Sequence, residues 1–366
     1  MAKQRNYGID LLRIITMLGV ITLHILGHGG VLYNATNPIK FNTAWLLEII
    51  AYPAVNCFLI ISGFVGCKRV LPALKSVVML YLTVLFYSVT ICAFISFLYP
   101  QAVPTKEIFN AIMPITTNQY WFFTCYIGLL ALTPIINSFV NNTDKKTLQK
   151  VGLIIFLVFS VYSSFSVHYS SPFKLNDGYS VLWFISLYTI GAIMNKTEFP
   201  KKIKNNKAII AIIISLFITW LVKINAVNGA SELLLKLNKS LVNYISPTIV
   251  LTSIMLVCIF TKINIKNEFI IKTISILSTS AFSVYLIHDN KYFRSNVIKN
   301  SFAAISNYQP IKLIISVLIV ALSIFIVGII IDKIRELLFK ILHIEKIYDK
   351  LQQKIEKLKK KKIKDA

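Results

Sequence analysis

The sequence predicts an all-α, polytopic membrane protein with about ten transmembrane helices and both termini cytoplasmic. Three observations lead there. Apolar residues make up 56% of the 366 residues, yet the formal net charge is +24, so charge must be segregated from apolar surface. The apolar runs are long, and most reach the roughly 17–25 residues that a bilayer demands of a spanning helix. The loops between them alternate between strongly basic and weakly basic. Together the runs use most of the chain, which predicts one membrane domain over 1–335 and a basic amphipathic cytoplasmic tail over 336–366.

The first run, 9–27, opens on Asp10-Leu-Leu-Arg13 and carries His24 and His28 at its far end. Arg13 and the lack of a small-residue cleavage site argue against a cleaved signal peptide. The second run, 45–66, contains Trp45, Glu48 and Pro53 and ends in Ser62-Gly63-Phe64. The third spans 76–99, and the fourth, 120–140, begins Tyr120-Trp121 and carries Thr133-Pro134. The fifth, 151–168, ends at His168, the sixth covers 179–195, and the seventh, 207–225, closes near Lys223. The eighth, 246–262, starts at Pro247; the ninth, 272–288, ends at His288; the tenth covers 311–332.

Lys3 and Arg5, then Lys68, Arg69 and Lys75, then Lys145, Lys146 and Lys150 fall on one side, as do the lysines of 196–207, those of 262–272 and the tail. Basic residues mark the cytoplasmic side, so both termini are placed there. In the tail, Ile344, Ile347, Leu351, Ile355 and Leu358 recur by threes and fours. That pattern suits a helix lying on anionic lipid; the repeat is too brief for a coiled coil. The charge follows topology, and no nucleic-acid partner is expected. The five cysteines have no metal-like spacing and read as apolar filler.

An arginine at mid-helix in a bilayer costs about 2.5–3.5 kcal/mol even on the lenient insertion scale. Eleven residues separate Arg13 from His24. At 100° per residue the two return to within about 20° of one direction, about 16 Å apart along the axis. Topology puts Arg13 near the cytoplasmic edge, His24 outward, and Glu48 level with His24. His28 and His168 read as interface residues satisfied by water or carbonyls, and Glu48 as either functional or snorkelling. Trp45, Tyr120 and Trp121 fit an aromatic belt, and the latter two also suit stacking on a sugar. His24 and His28 stand at metal-ligand spacing without a third ligand nearby, so no metal is expected. Spacing alone leaves Arg13–His24 equally well read as a structural or a catalytic pair.

Asp10-Leu-Leu-Arg13, ten residues, then His24 resembles the arginine–histidine signature of the integral-membrane acyltransferase-3 family. Phe58-Leu-Ile-Ile-Ser-Gly-Phe64, Tyr120-Trp-Phe-Phe-Thr-Cys-Tyr-Ile-Gly128 with Thr133-Pro134, and Val284-Tyr-Leu-Ile-His288 resemble later family motifs in family order, over roughly 6–335. The resemblance implies O-acylation of surface polysaccharide or its lipid-linked precursor, with acyl-CoA, expected to be acetyl-CoA, as co-substrate and no tightly bound cofactor. By the same resemblance His24 is the general base or forms an acyl-histidine, and Arg13, Lys68 and Arg69 hold CoA phosphates; Glu48 is expected to orient the imidazole on depth alone. Trp121, Tyr120 and His288 are expected toward the acceptor, and the protein in a bacterial plasma membrane. Two departures stand out: Asp289 where the family often has proline, and only Lys68, Arg69 and Lys75 where it often has an arginine-rich segment. The alternative is a polytopic transporter or flippase whose polar stripe lines a permeation path.

Overall fold

The computed structural model describes residues 5–101, 103–166, 171, 173–227 and 229–364, and side chains up to Lys354 apart from Thr105. Lys3 and His168 lie outside the described residues. Among the described residues there is no strand. The helices are α1 (Tyr7–Leu26), α2 (Pro38–Ala51), α3 (Pro53–Gly66), α4 (Leu74–Leu98), α5 (Trp121–Asn142), α6 (Lys145–Ile155), α7 (Val181–Lys196), α8 (Asn205–Asn225), α9 (Pro247–Phe260), α10 (Glu268–His288), α11 (Pro310–Ile341) and α12 (Ile344–Lys364). The α2–α3 pair forms one hydrophobic path over Pro38–Gly66, and α6 continues through wider turns to Ser166. Among the described residues, eight such segments are long and apolar enough to cross a membrane, and α7 and α9 are shorter apolar helices where the sequence places its sixth and eighth spans. The chain is an all-α polytopic membrane protein.

Proline sets two of the irregularities. Pro53 starts α3 just past Tyr52, where α2 ends. A proline nitrogen carries no donor, so the chain bends there and presents Tyr52 at the break. Pro134 sits inside α5 and leaves the Leu130 carbonyl without its amide partner; the Thr133 hydroxyl donates to that carbonyl at 2.8 Å instead. The Thr-Pro pair therefore repairs its own defect.

The centre of the bundle is α1. It packs against α2, α3, α9, α10 and α11, and 67% of its apolar window is buried, against 17% for the peripheral α8. Asn6 caps its start, accepting from the Ile9 amide at 3.1 Å. At its other end the Gly27 amide donates to Leu23 O and the Gly29 amide to His24 O, both at 2.8 Å. Gly30 turns the chain at φ +89°, a conformation an L side chain resists. Asn300 and Phe302 then donate their amides to His28 O and Gly29 O at 3.0 Å, which fastens the His24 end of α1 to the loop before α11.

The predicted domain boundary at residue 335 does not coincide with a break. Helix α11 runs on to Ile341, and the turn comes at Leu342–His343, where His343 has φ +55°. The correction has a simple cause: the apolar-to-charged change in composition lies inside one continuous helix. Lys75 on α4 pairs with Glu345 at 3.2 Å and Asp349 at 3.0 Å, tying α12 to the start of α4.

Helices α3 and α7 approach so closely that two glycines are obligatory. A Cβ on Gly63 would lie 1.9 Å from Tyr188 O, and one on Gly191 would lie 2.0 Å from Ile60 O. Each glycine faces the other helix's backbone, the small-residue packing that membrane bundles use in place of a hydrophobic driving force. Substituting Gly191→Val should force the helices apart and cost about 1–3 kcal/mol or more. Thermal unfolding of the detergent-solubilised variant will read this as a lowered midpoint, and an unchanged midpoint would contradict the crossing.

Candidate active site

The imidazoles of His24, His28 and His288 meet where α1 and α10 end. The His24 ring centroid lies 5.2 Å from His28 and 5.0 Å from His288. His28 follows His24 by one helical turn, whereas His288 arrives from α10. His288 Nδ1 lies 2.6 Å from Val284 O. A carbonyl only accepts, so Nδ1 carries the proton and Nε2 keeps a lone pair, fully enclosed and without a partner among the described residues. Beside His24 stands the Asp289 carboxylate, 3.8 Å from Nδ1 and 2% exposed. The same oxygen of Asp289 accepts from Arg294 at 2.7 Å. His28 lies beyond the end of α1, and its imidazole is held below its ordinary range, first by partial burial and then by the Arg294 guanidinium.

His24, His28 and Asp289 have ligand atoms within 4.8 Å of one another and form the one such group among the described residues. The sequence sees only the first two. A cation there would have to displace Arg294, whose charge already occupies the carboxylate, so the donor set suits a base held in an ionic wall better than a metal centre.

His24 opens onto a cavity of about 340 Å³ that also exposes His28, Glu48 and Arg294. This size is typical of a small-ligand site. Aromatic faces line it. Trp121 and Tyr179 have centroids 4.4 Å apart, Tyr179 and Tyr244 5.5 Å, and Tyr244 and Tyr52 5.2 Å. Asn56 braces this wall, donating to Tyr244 O at 2.8 Å and accepting from Trp183 Nε1 at 3.3 Å.

At the other end of α1, Arg13 is not a lone cation. The buried Asp10 carboxylate accepts from Arg13 at 2.7 Å and Arg5 at 2.5 Å, and Arg5 reaches Ser278 on α10 at 3.2 Å. Arg13 is 31% exposed and, among the described residues, its guanidinium makes one hydrogen bond, to Asp10. A second cavity, about 240 Å³, lies along α3 and α5 and is lined by Arg69, Ser62, Tyr126 and Tyr188. Phe58 and Phe122 line the first cavity; Ser62 and Tyr126, one turn further along the same helices, line the second. The two cavities thus stand in series. The stacked Phe122 and Tyr126 rings, 6.2 Å apart, mark the border between them.

The sequence expectations fare unevenly. Glu48 shares the His24 cavity, but the acid next to His24 is Asp289, and Glu48 Oε2 is enclosed without a hydrogen bond among the described residues. Trp121 lines the cavity. Tyr120 does not: it is 1% exposed, and its hydroxyl donates to Leu286 O at 3.0 Å while accepting from Asn290 at 2.8 Å. It is a clamp on the end of α10. His288 is likewise 1% exposed and stands behind His24 instead of facing an acceptor. Arg69 lines the second cavity, whereas Lys68 is exposed to the side, and Arg13 lines neither cavity. Asp289 and Arg294 are the site residues the sequence reading missed. Asp289 was visible only as a departure from the resembled motif; nothing local marks Arg294.

A family model described as an acyltransferase domain matches residues 6–333. No curated protein and no solved structure matches the chain.

The segment carrying Asp289 and Arg294 is held from outside. Lys291 donates to Glu107 at 2.6 Å and the Tyr292 hydroxyl at 2.5 Å, tying it to the helix Thr105–Ile112. The hydrogen bond from Lys291, then that from Tyr292, holds the Glu107 carboxyl down at about 2. A depressed carboxyl stabilises fully above its ordinary value, and that support fades as pH falls through the folded value. The hydrogen-exchange protection of 289–298, taken relative to the intrinsic rate at each pH, should therefore hold from pH 7 to about 4.5 and fall as pH drops toward 2. In Glu107→Gln the same segment should exchange fast even at pH 7; protection equal to wild type would refute the clamp.

Proposed function

Because the chain belongs to the acyltransferase-3 family, we propose that this membrane acyltransferase moves an acetyl group from cytoplasmic acetyl-CoA to a hydroxyl of a cell-surface polysaccharide or its lipid-linked precursor. One observation carries the reading. The base candidate His24 opens onto a cavity walled by Trp121, Tyr179, Tyr244 and Tyr52, in series with a second cavity that reaches Arg69. Flat aromatic faces suit the C–H face of a pyranose ring, and the few polar groups among them suit its hydroxyls. The positive-inside pattern supports a reading with the His24 end outward and the Arg69 end in the cytoplasm, and the proposed membrane is a bacterial plasma membrane.

In this reading CoA enters at the cytoplasmic end, where Arg69 and the remaining donors of Arg13 take its phosphate oxygens, with Lys68 as a nearby charge. The pantetheine arm runs through the second cavity between α3 and α5 and into the first, which α1 lines from Met17 to His24. The roughly 16 Å rise from Arg13 to His24 is of the order that arm can span. At the thioester, His24 takes the proton of the acceptor hydroxyl as its oxygen bonds to the carbonyl carbon. Collapse of the tetrahedral intermediate breaks the C–S bond, and the departing thiolate recovers that proton from the imidazolium. No resident cofactor is required. Glu48, enclosed in the same cavity, is placed to receive a sugar hydroxyl, not to orient His24.

The protein in proteoliposomes, given acetyl-CoA on the Arg69 side and glycan on the other, should form a glycan ester removable by mild alkali. His24→Gln should lower kcat by about 10²–10⁴-fold with the fold intact. Arg13→Ala should raise KM for acetyl-CoA about 10- to 100-fold with little change in kcat, as expected for lost charge-assisted hydrogen bonds. Glycan that crosses unchanged while acetyl-CoA is not consumed would replace this reading with a transporter, and full activity in His24→Gln would remove His24 from the chemistry.

A further inference from the structure

The two nitrogens of His24 have different surroundings. Nδ1 has no accessible surface and no hydrogen-bond partner among the described residues, and it lies 3.8 Å from Asp289 Oδ1. The ring is nevertheless 17% exposed and lines the cavity. The nitrogen able to meet a substrate is therefore Nε2. Asp289 is itself fixed twice: its amide donates to Tyr285 O at 3.0 Å at the end of α10, and its Oδ1 accepts from Arg294 at 2.7 Å. The remaining groups facing the ring are His28 on the outer side and His288 behind it. His288 has committed its only N–H to Val284 O and has none to offer His24.

We propose that Asp289 is the positioning residue for His24, holding Nδ1–H toward the wall and the Nε2 lone pair toward the acceptor, with Arg294 locking the carboxylate in place. The proposal rests on His24 acting as the base. A general base needs its lone pair aimed at the proton it removes, and an imidazole with no Nδ1 acceptor is free to adopt the unreactive tautomer. The 3.8 Å gap exceeds a hydrogen bond, and closing it takes about 1 Å of movement as the acceptor seats, as catalytic contacts in empty sites commonly require. When Nε2 gains the proton, the imidazolium faces a carboxylate that needs no reorganisation, because Arg294 has held it throughout. Arg294 also spares the empty site a buried, unpaired anion. The carboxylate comes from the position at which this chain departs from the resembled motif, so the device belongs to its own residues.

Two measurements on the full chain in nanodiscs decide the matter. In ¹⁵N-histidine-labelled protein, His24 resonances assigned by loss in His24→Gln should show the Nδ1–H tautomer in the wild type. In Asp289→Asn they should move toward the Nε2–H form. Asn keeps an acceptor for Arg294, so this variant should fold. In acetyl transfer, Asp289→Asn should lower kcat at least about tenfold with KM for acetyl-CoA within about twofold, and Asp289→Glu should recover part of the loss. Arg294→Gln should fall between them, and the Asp289→Asn, Arg294→Gln double variant should be no slower than Asp289→Asn alone. An Nε2–H tautomer in the wild type, or a tautomer unchanged in Asp289→Asn, overturns the proposal. So does a wild-type kcat in Asp289→Asn when His24→Gln is inactive. If the wild type transfers no acetyl group, the base reading fails by itself, and the tautomer measurement still decides the role of Asp289.

Discussion

A carboxylate enclosed in apolar surroundings must be neutralised, and both ends of α1 are organised around one. Asp10 sits buried between Arg13 and Arg5, and Arg5 reaches on to α10 through Ser278. At the far end Asp289 arrives from α10, bonds Arg294 and faces His24. An ion in hydrocarbon without a partner is costly enough to be avoided, so each carboxylate fixes where its cations stand. The contacts that tie α1 to α10 are Arg5 with Ser278 at one end and His24 beside Asp289 at the other. The remaining helices enclose that pair and supply the walls of the cavities.

Backbone proximity supplies the rest of the precision. The glycine crossing of α3 on α7 brings Tyr188 to Asn137, whose side chain accepts from the Tyr188 hydroxyl at 3.0 Å and donates to Arg69 O at 2.7 Å. The same helix pair carries Asn56 and Trp183, which brace Tyr244 in the other cavity. One close contact therefore sets both cavities at once. The aromatic border between them is built from Phe58, Phe122 and Tyr126 on α3 and α5.

Much of the fold was legible because hydropathy is a local property. Runs of apolar residues predicted the spans, and α7 and α9 were found despite being short. The alignment of Arg13 with His24 followed from helical geometry and stands on an unbroken α1. The site was legible only in part. Tyr120 and Trp121 are adjacent and equally aromatic, yet one clamps α10 and the other faces the cavity, because Tyr120 is the extended residue that caps α5 and Trp121 is the first residue inside the helix. His288 was assigned to the acceptor from its place at the end of a span, yet it is buried against His24, because that place does not tell which face of α10 meets α1.

The sequence by itself determined the all-α membrane architecture, the family, and the placing of a cation and an imidazole at opposite ends of one helix. Each of these is written in contiguous residues, as hydropathy, motif or spacing. Only the tertiary structure decided that Asp10 belongs to Arg13, that Asp289 and not Glu48 stands beside His24, and that Arg294 holds it. The decisive contact, Asp289 beside His24, joins segments distant in the chain, whereas Asp10–Arg13 and Asp289–Arg294 lie three and five residues apart. The energy of all three comes from mutual enclosure in a low-dielectric interior, which does not exist until the helices have packed.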